Sequence, residues 1–395
     1  MFRSSPFLLL CATGLFAIFS STISKSPVLP LFATFLGADP SGVGLVASVS
    51  AFTGIVASIP AGVLSDRWGR KRMLVIAGVV FFTAPFMYMY VTSIWQLALV
   101  RFYHGLATAI FVPVGMALVS DLFHAERGEK MGWFSTATLA GRFAAPIVGG
   151  SVIGMLANDP PASFKAVYLV CGLTGLAALL LIPGIQSPAR ENRNGKGWDE
   201  AIKELRAVLS HRAIILTAAV EAAILFTYGT FETFLPLYAI KEGLNAYHVG
   251  IILSSQVITV ALAKPLMGRF SDRHGRRPQI IAGAVLGAAC IAAFSITRSF
   301  PGILAIGIMF GFSRSVVTSA TSAFIADMSS KEGRGSAMGI LGSIMDTGHT
   351  SGPIISGFIA SRIGFAGSFL GAAVVALIAA CVFMRGVRPP HPNKH

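Results

Sequence analysis

Gly62-Val-Leu-Ser-Asp66-Arg67-Trp-Gly69-Arg70-Lys71 recurs 206 residues later as Gly268-Arg-Phe-Ser-Asp272-Arg273-His-Gly275-Arg276-Arg277. The same offset, without a gap, pairs Leu29-Pro30-Leu31-Phe32 with Leu235-Pro236-Leu237-Tyr238, Gly44 with Gly250, Gly105 with Gly311, and Asp121 with Asp327. With one further residue inserted, Gly141, Pro146 and Gly150 meet Gly348, Pro353 and Gly357. A constant offset held over so many positions marks an internal duplication.

What is duplicated is apolar. Of 395 residues, 54% are hydrophobic and 12% charged, about half the charged share of a soluble domain, and the mean hydropathy is +0.72. Apolar stretches long enough to cross a hydrocarbon core about 30 Å thick fall near 7–29, 43–64, 73–92, 95–120, 131–156, 164–184, 213–239, 247–267, 279–296, 300–325, 335–361 and 364–386. The chain therefore reads as an all-α membrane protein of twelve transmembrane helices: a six-helix bundle over 1–185, a linker over 186–212 and a second bundle over 213–395. An even number of helices per repeat makes the two copies parallel, related by an axis along the membrane normal.

The net charge of +14 raises the question of nucleic acid, but its placement points elsewhere. With both termini cytoplasmic, 22 of the 31 Lys and Arg fall in cytoplasmic segments, four on the opposite side and five within helices. That is the positive-inside bias of a multi-pass protein of the cytoplasmic (inner) membrane. Cys11, Cys171, Cys290 and Cys381 sit in apolar stretches at unrelated spacings, which indicates neither a disulfide framework nor a metal site. The opening apolar run mimics a secretory signal, yet the repeat pairs it with an internal helix, so it is kept as helix 1. Within the linker, the stretch from Trp198 has apolar residues at helical spacing and reads as a surface amphipathic helix.

The signature after helix 2, its copy after helix 8 and the six-plus-six layout resemble the major facilitator superfamily over the entire chain. Leu97-x-x-x-Arg101-x-x-His104-Gly105 in helix 4 resembles the Arg-containing motif of its drug:proton antiporters, with His104 where Gln is usual. Gly141-x-x-x-Ala145-Pro146-x-x-Gly149-Gly150 in helix 5 resembles the antiporter motif of exporters, with Ala145 for Gly; Gly348-x-x-x-Gly352-Pro353-x-x-Ser356-Gly357 is its second copy. One departure stands out: helix 1 lacks the acidic residue common in this group and carries Lys25. The resemblance implies the major facilitator fold, export of a small solute in exchange for protons, a monomer, and no cofactor. It also implies a cytoplasmic latch in which Asp66 and Arg70, flanking Gly69, meet Asp121 at the end of helix 4, with Asp272, Arg276, Gly275 and Asp327 as the second copy. Gly62 and Gly268 are expected where helices cross closely, and Arg67 and Arg273 belong to the same gating loops.

A charge at a helix centre costs about 2.5–3.5 kcal/mol on insertion scales, so embedded charges mark function. They occur in helices 1 (Lys25), 4 (Arg101), 5 (Arg142), 7 (Glu221, Glu232), 8 (Lys264), 10 (Arg314) and 11 (Asp346). Helices 3, 6, 9 and 12 have none in their cores, which leaves them free to face lipid. Glu221, Tyr228 and Glu232 share a stripe on helix 7. Glu232 aligns with Ser26, beside Lys25, so an ion pair across the pseudo-twofold axis is expected. Asp346 and His349 share a face of helix 11, and His349 is the repeat equivalent of Arg142. Glu232 and Asp346 are the expected proton-linked carboxylates, with Lys25, Arg142 and Arg314 as counter-charges or substrate contacts. Glu221 ranks behind them, and Lys264 is expected to snorkel to the surface. Gly141, Pro146, Gly149, Gly150, Gly348, Gly352 and Pro353 are expected at bends. Five embedded cations against three carboxylates favour anionic, zwitterionic or neutral amphiphilic solutes.

The rival readings are uptake or lipid flipping on the same scaffold. An enzyme, an ATP-driven pump, a receptor and a channel each lack a motif: no His-Glu-x-x-His, no phosphate loop, no sizeable extramembrane domain and no filter repeat occur.

Overall fold

A helix that starts in the membrane interface needs its first N–H groups satisfied, and the sequence supplies Asp39, Ser93 and Asp159 to do so. Their side chains accept from the backbone N–H of Gly42, Gln96 and Ala162 at 3.0, 3.4 and 3.1 Å, with Pro40 and Pro160 in the first turn, where a missing N–H costs nothing. The protein is described by a computed structural model covering residues 6–124, 126–185, 211–328 and 334–387; the amphipathic linker helix expected from Trp198 lies outside the described residues.

The elements in order are α1 (Pro6–Ile23), α2 (Val28–Phe35), α3 (Pro40–Trp68), α4 (Arg70–Tyr88), α5 (Ile94–Leu122), α6 (Arg127–Met155), α7 (Pro160–Leu181), α8 (Arg212–Lys241), α9 (Ala246–His274), α10 (Arg276–Ala293), α11 (Phe300–Met328) and α12 (Arg334–Gly386). α12 holds two arms that meet at Gly364, whose φ of +79° is not helical. α1 and α2 form one span interrupted at 24–27, so that Lys25, expected inside helix 1, occupies a turn; Pro27 brings no N–H to continue the ladder. Ten helical spans among the described residues are long and apolar enough to cross a membrane. Counting α1 with α2, the two arms of α12 and α10, the chain is a twelve-helix all-α membrane protein.

The described contacts divide it into two compact units, Met1–Gly195 with Glu232–Val257, and Lys196–Phe231 with Ile258–His395. The first is packed around Leu74, Phe81, Phe111, Val114, Leu118 and Phe134, all essentially buried. Phe134 lies over Gly14 and Gly115, where a Cβ would come within 2.8 and 2.9 Å of its ring. The second is packed around Ile224, Ile280, Ala284, Val317, Ala320 and Phe383. Leu169, Leu173 and Leu180 on α7, and Val374, Ile378 and Val382 on the second arm of α12, point outward, as helices facing lipid require.

The close crossings fall on particular glycines. A Cβ on Gly141 would collide with the Leu15 carbonyl oxygen of α1, and one on Gly348 or Gly352 with the Ala222 or Phe226 oxygen of α8. Gly150 is pressed in the same way onto the Ala246 oxygen, and Gly149 onto Ile23 and Val28. Gly62 and Gly268 correct an expectation: nothing described lies within 4 Å of a Cβ on either. The tight α3–α5 crossing is made instead at Gly105, whose Cβ would meet Thr53 at 3.0 Å and Ser50 at 3.3 Å, so the room at Gly62 is not taken up by a neighbour.

Candidate functional site

Asp66 and Arg70 stand one helical turn apart in sequence but on different helices, separated by Gly69. That residue ends α3 and starts α4 with φ +94°, a conformation glycine adopts without a Cβ clash. The turn brings Arg70 back across the end of α3: Nη2 reaches Asp66 Oδ1 at 2.7 Å and Nε reaches Asp121 Oδ2 on α5 at 3.2 Å. In the second unit Gly275 has φ +90°, and Arg276 reaches Asp272 at 2.5 Å and Asp327 on α11 at 3.1 Å. Each arginine also donates to a serine, Arg70 to Ser65 and Arg276 to Ser271. These serines are not singled out by the sequence reading, although they are identical in the two copies of the signature. Arg67 and Arg273 make no ion pair among the described residues. The last basic residue of each signature does something different. Lys71 Nζ donates to the Pro183 carbonyl and Arg277 Nη2 to the Met384 carbonyl, both at 2.6 Å, holding the closing turn of the last helix of each repeat.

At membrane depth, Lys25 Nζ and Glu232 Oε2 meet at 2.8 Å, with side-chain exposures of 24% and 10%. Arg101 and Arg142 lie within electrostatic reach of Lys25. Arg101 is buried; its Nη1 donates to Ser24 Oγ and Tyr88 OH at 3.3 and 3.4 Å, and it has no carboxylate partner among the described residues. His104 Nδ1 is 3.4 Å from the same Ser24 hydroxyl, and its ring packs edge-on to Phe81. Tyr88 stacks on Tyr168, ring centroids 4.5 Å apart. Arg142 is exposed on α6, with no ion pair among the described residues.

The second group of embedded residues is gathered on α8, α11 and α12. The Arg314 guanidinium carbon lies 3.8 Å from the centroid of the Tyr228 ring, and His349 approaches the same ring at 5.4 Å. Gly229 permits this, since a Cβ there would strike the His349 oxygen and Pro353 at 3.0 and 2.9 Å. Asp346 is half-buried one turn before Thr350, which donates to its carbonyl. Glu221, ranked lower from the sequence, is completely buried, and its Oε2 accepts from Thr321 Oγ1 at 2.5 Å. Lys264 is exposed.

Arginine-centred ion pairs repeated at the helix ends and a Lys–Glu pair set among apolar spans are features of a duplicated membrane protein. The chain belongs to the major facilitator superfamily, whose family model matches residues 9–250 and 243–395, and it is a multi-pass membrane transporter. Among curated relatives it is 25% identical over 352 residues to multidrug resistance protein 1 of Bacillus subtilis, covering 88% of each chain. It is also 25% identical over 379 residues to the multi-drug resistance efflux pump PmrA homolog of Lactococcus lactis, covering 92% of this chain and 91% of that one. Two solved structures share its fold. A mutant of the nucleoside transporter NupG has TM-score 0.83 and 14% identity, with 97% of this chain and 100% of that one covered. A bacterial homolog of the lysosomal transporter Spinster has TM-score 0.80 and 15% identity, with 97% of each covered.

Proposed function

We propose that the protein is a proton-coupled exporter of small amphiphilic compounds, resident in the cytoplasmic membrane with both termini and both latches on the cytoplasmic side. Residues 1–185 and 213–395 serve as the two moving bundles of an alternating-access cycle. Similarity to two multidrug resistance proteins over most of the chain supports efflux. The observation that carries proton coupling is the Lys25–Glu232 pair at 2.8 Å. A carboxylate paired with an amine at membrane depth can exchange that pairing for a proton, and the ammonium can then receive an anionic or polar group of the substrate. Asp346 is the second proton-linked carboxylate, and Arg142 and Arg314 are substrate contacts. Arg101 holds the turn that carries Lys25 through Ser24, so it positions the pair.

The test is flux in proteoliposomes under an imposed pH gradient, with fluorescein, rhodamine B and ethidium as anionic, zwitterionic and cationic probes. Uphill movement of at least one probe that collapses with the gradient, and with Glu232→Gln or Asp346→Asn, is expected. Flux indifferent to both the gradient and the substitutions sinks the reading. Accumulation in the direction of proton entry would mark uptake instead.

A further inference from the structure

Two contacts join α8 to α11 like rungs. Glu221 accepts from Thr321 at 2.5 Å. Seven residues further along α8, the Tyr228 ring receives Arg314, which precedes Thr321 by the same seven residues. The helices therefore run antiparallel here, with the rungs about 10 Å apart. Glu221 is 0% exposed, has no cation within 4 Å among the described residues, and its Oε1 has no hydrogen-bond partner. An ionised carboxylate held by one hydroxyl in such surroundings is costly, and an arginine cannot be discharged in its place. The charged and titratable groups on the helices packed around it are Lys264 on α9 and Arg314 on α11, both within electrostatic reach, and Asp346 and His349 on α12, whose Gly348 lies against Ala222. None of them is bonded to Glu221.

We propose that Glu221 is a proton-carrying site of the transport cycle, and that its proton decides where Arg314 rests. This rests on the proton-coupled reading above and adds a site to it. With the proton on Oε1, Arg314 stays on the Tyr228 ring and covers it. When the unit opens to water, the carboxyl O–H bond breaks and the proton passes to a water molecule. The carboxylate then draws Arg314 one rung along, and the bare Tyr228 face becomes available to an aromatic or amphiphilic solute. Protonation by hydronium from the opposite side reverses the step. Substrate and proton are exchanged because one guanidinium cannot serve both rungs.

Infrared difference spectroscopy of the purified, full-length protein tests this by counting protonated carboxyl C=O stretches at neutral pH. One such band is expected in the wild type and in Glu232→Gln, and absent in Glu221→Gln. In proteoliposomes carrying the same three dyes, Glu221→Gln, which fixes the neutral state and leaves Arg314 over Tyr228, should lose both gradient-driven flux and gradient-independent counterflow, while Glu221→Asp should restore both. An unchanged carboxyl spectrum in Glu221→Gln overturns the proposal, as does gradient-driven flux equal to wild type. Loss of counterflow in both the Gln and Asp variants would reduce Glu221 to a structural residue and overturn it as well. A wild type that moves no dye with the gradient overturns the exporter reading, and the carboxyl band alone then decides whether Glu221 holds a proton.

Discussion

Lys25 and Glu232 lie 207 residues apart in sequence and 2.8 Å apart in space, the one from a turn between α1 and α2, the other from α8. Removing one partner of a fully buried pair costs about 3–5 kcal/mol, mostly through the charge left behind. The 24% exposure of Lys25 moderates that. Lys25→Met is therefore expected to lower the thermal unfolding temperature more than Lys25→Met combined with Glu232→Gln, although the double variant loses the same contact. A double variant no more stable than Lys25→Met would show that Glu232 is not left as an uncompensated charge and would overturn this expectation.

The ion-pair clusters around Arg70 and Arg276 share a plan but differ in exposure. Asp66 and Asp121 around Arg70 are 36% and 18% exposed, against 62% and 59% for Asp272 and Asp327 around Arg276. Exposed pairs contribute about 0–1 kcal/mol, so Arg276→Ala should stay within that range and Arg70→Ala should cost more, about 1–2 kcal/mol. Arg70→Lys should recover little, because an ammonium cannot span two carboxylates and a serine in the fork geometry of a guanidinium. Thermal unfolding at low and high salt measures all three.

Glycine replacement should sort by backbone contact. Gly348→Ala would drive a methyl into the Ala222 oxygen, and overpacking of this kind costs about 1–3 kcal/mol. Gly62→Ala meets nothing within 4 Å among the described residues and should be neutral or stabilising by up to about 1 kcal/mol through helix propensity. A Gly62→Ala variant as unstable as Gly348→Ala would show that Gly62 is crowded in a conformation other than this one.

At the start of α3, Asp39 accepts from Gly42 N and Ser41 Oγ at 3.0 and 2.6 Å, and these bonds hold its carboxyl below the usual carboxylate range. A depressed folded-state value means that the cap stabilises the protein above the unfolded value near 3.9 and stops doing so as pH falls through the folded one. Asp39→Asn should match the wild type least at neutral pH and converge with it in acid. Asp39→Ala should remain less stable at both, since it loses the cap itself.

The geometry of the two arginine clusters is legible in the sequence because it is local and repeated. Gly69 and Gly275 need positive φ, the acid and arginine sit at fixed distances on either side, and the duplication confirms each position by the other. The twelve spans follow from hydropathy, but the break at 24–27 does not, because Ser24, Lys25 and Ser26 interrupt an apolar run too briefly to divide it. The expected Lys25–Glu232 meeting comes from aligning the repeats. The partners of Glu221, Tyr228 and His349 are out of reach of such reasoning: a helix face names the residues that look inward and says nothing of which helix they look at. Gly62 misleads for the same reason in reverse, a small residue suggesting a crossing that the fold makes at Gly105.

Lys71 and Arg277 carry a mechanical implication. Pro183 and Met384, whose carbonyls they hold, are the last turns before the chain runs into the linker and into the C-terminal tail. A tug on either segment is thus delivered one residue away from Arg70 or Arg276, each of which joins carboxylates on two other helices.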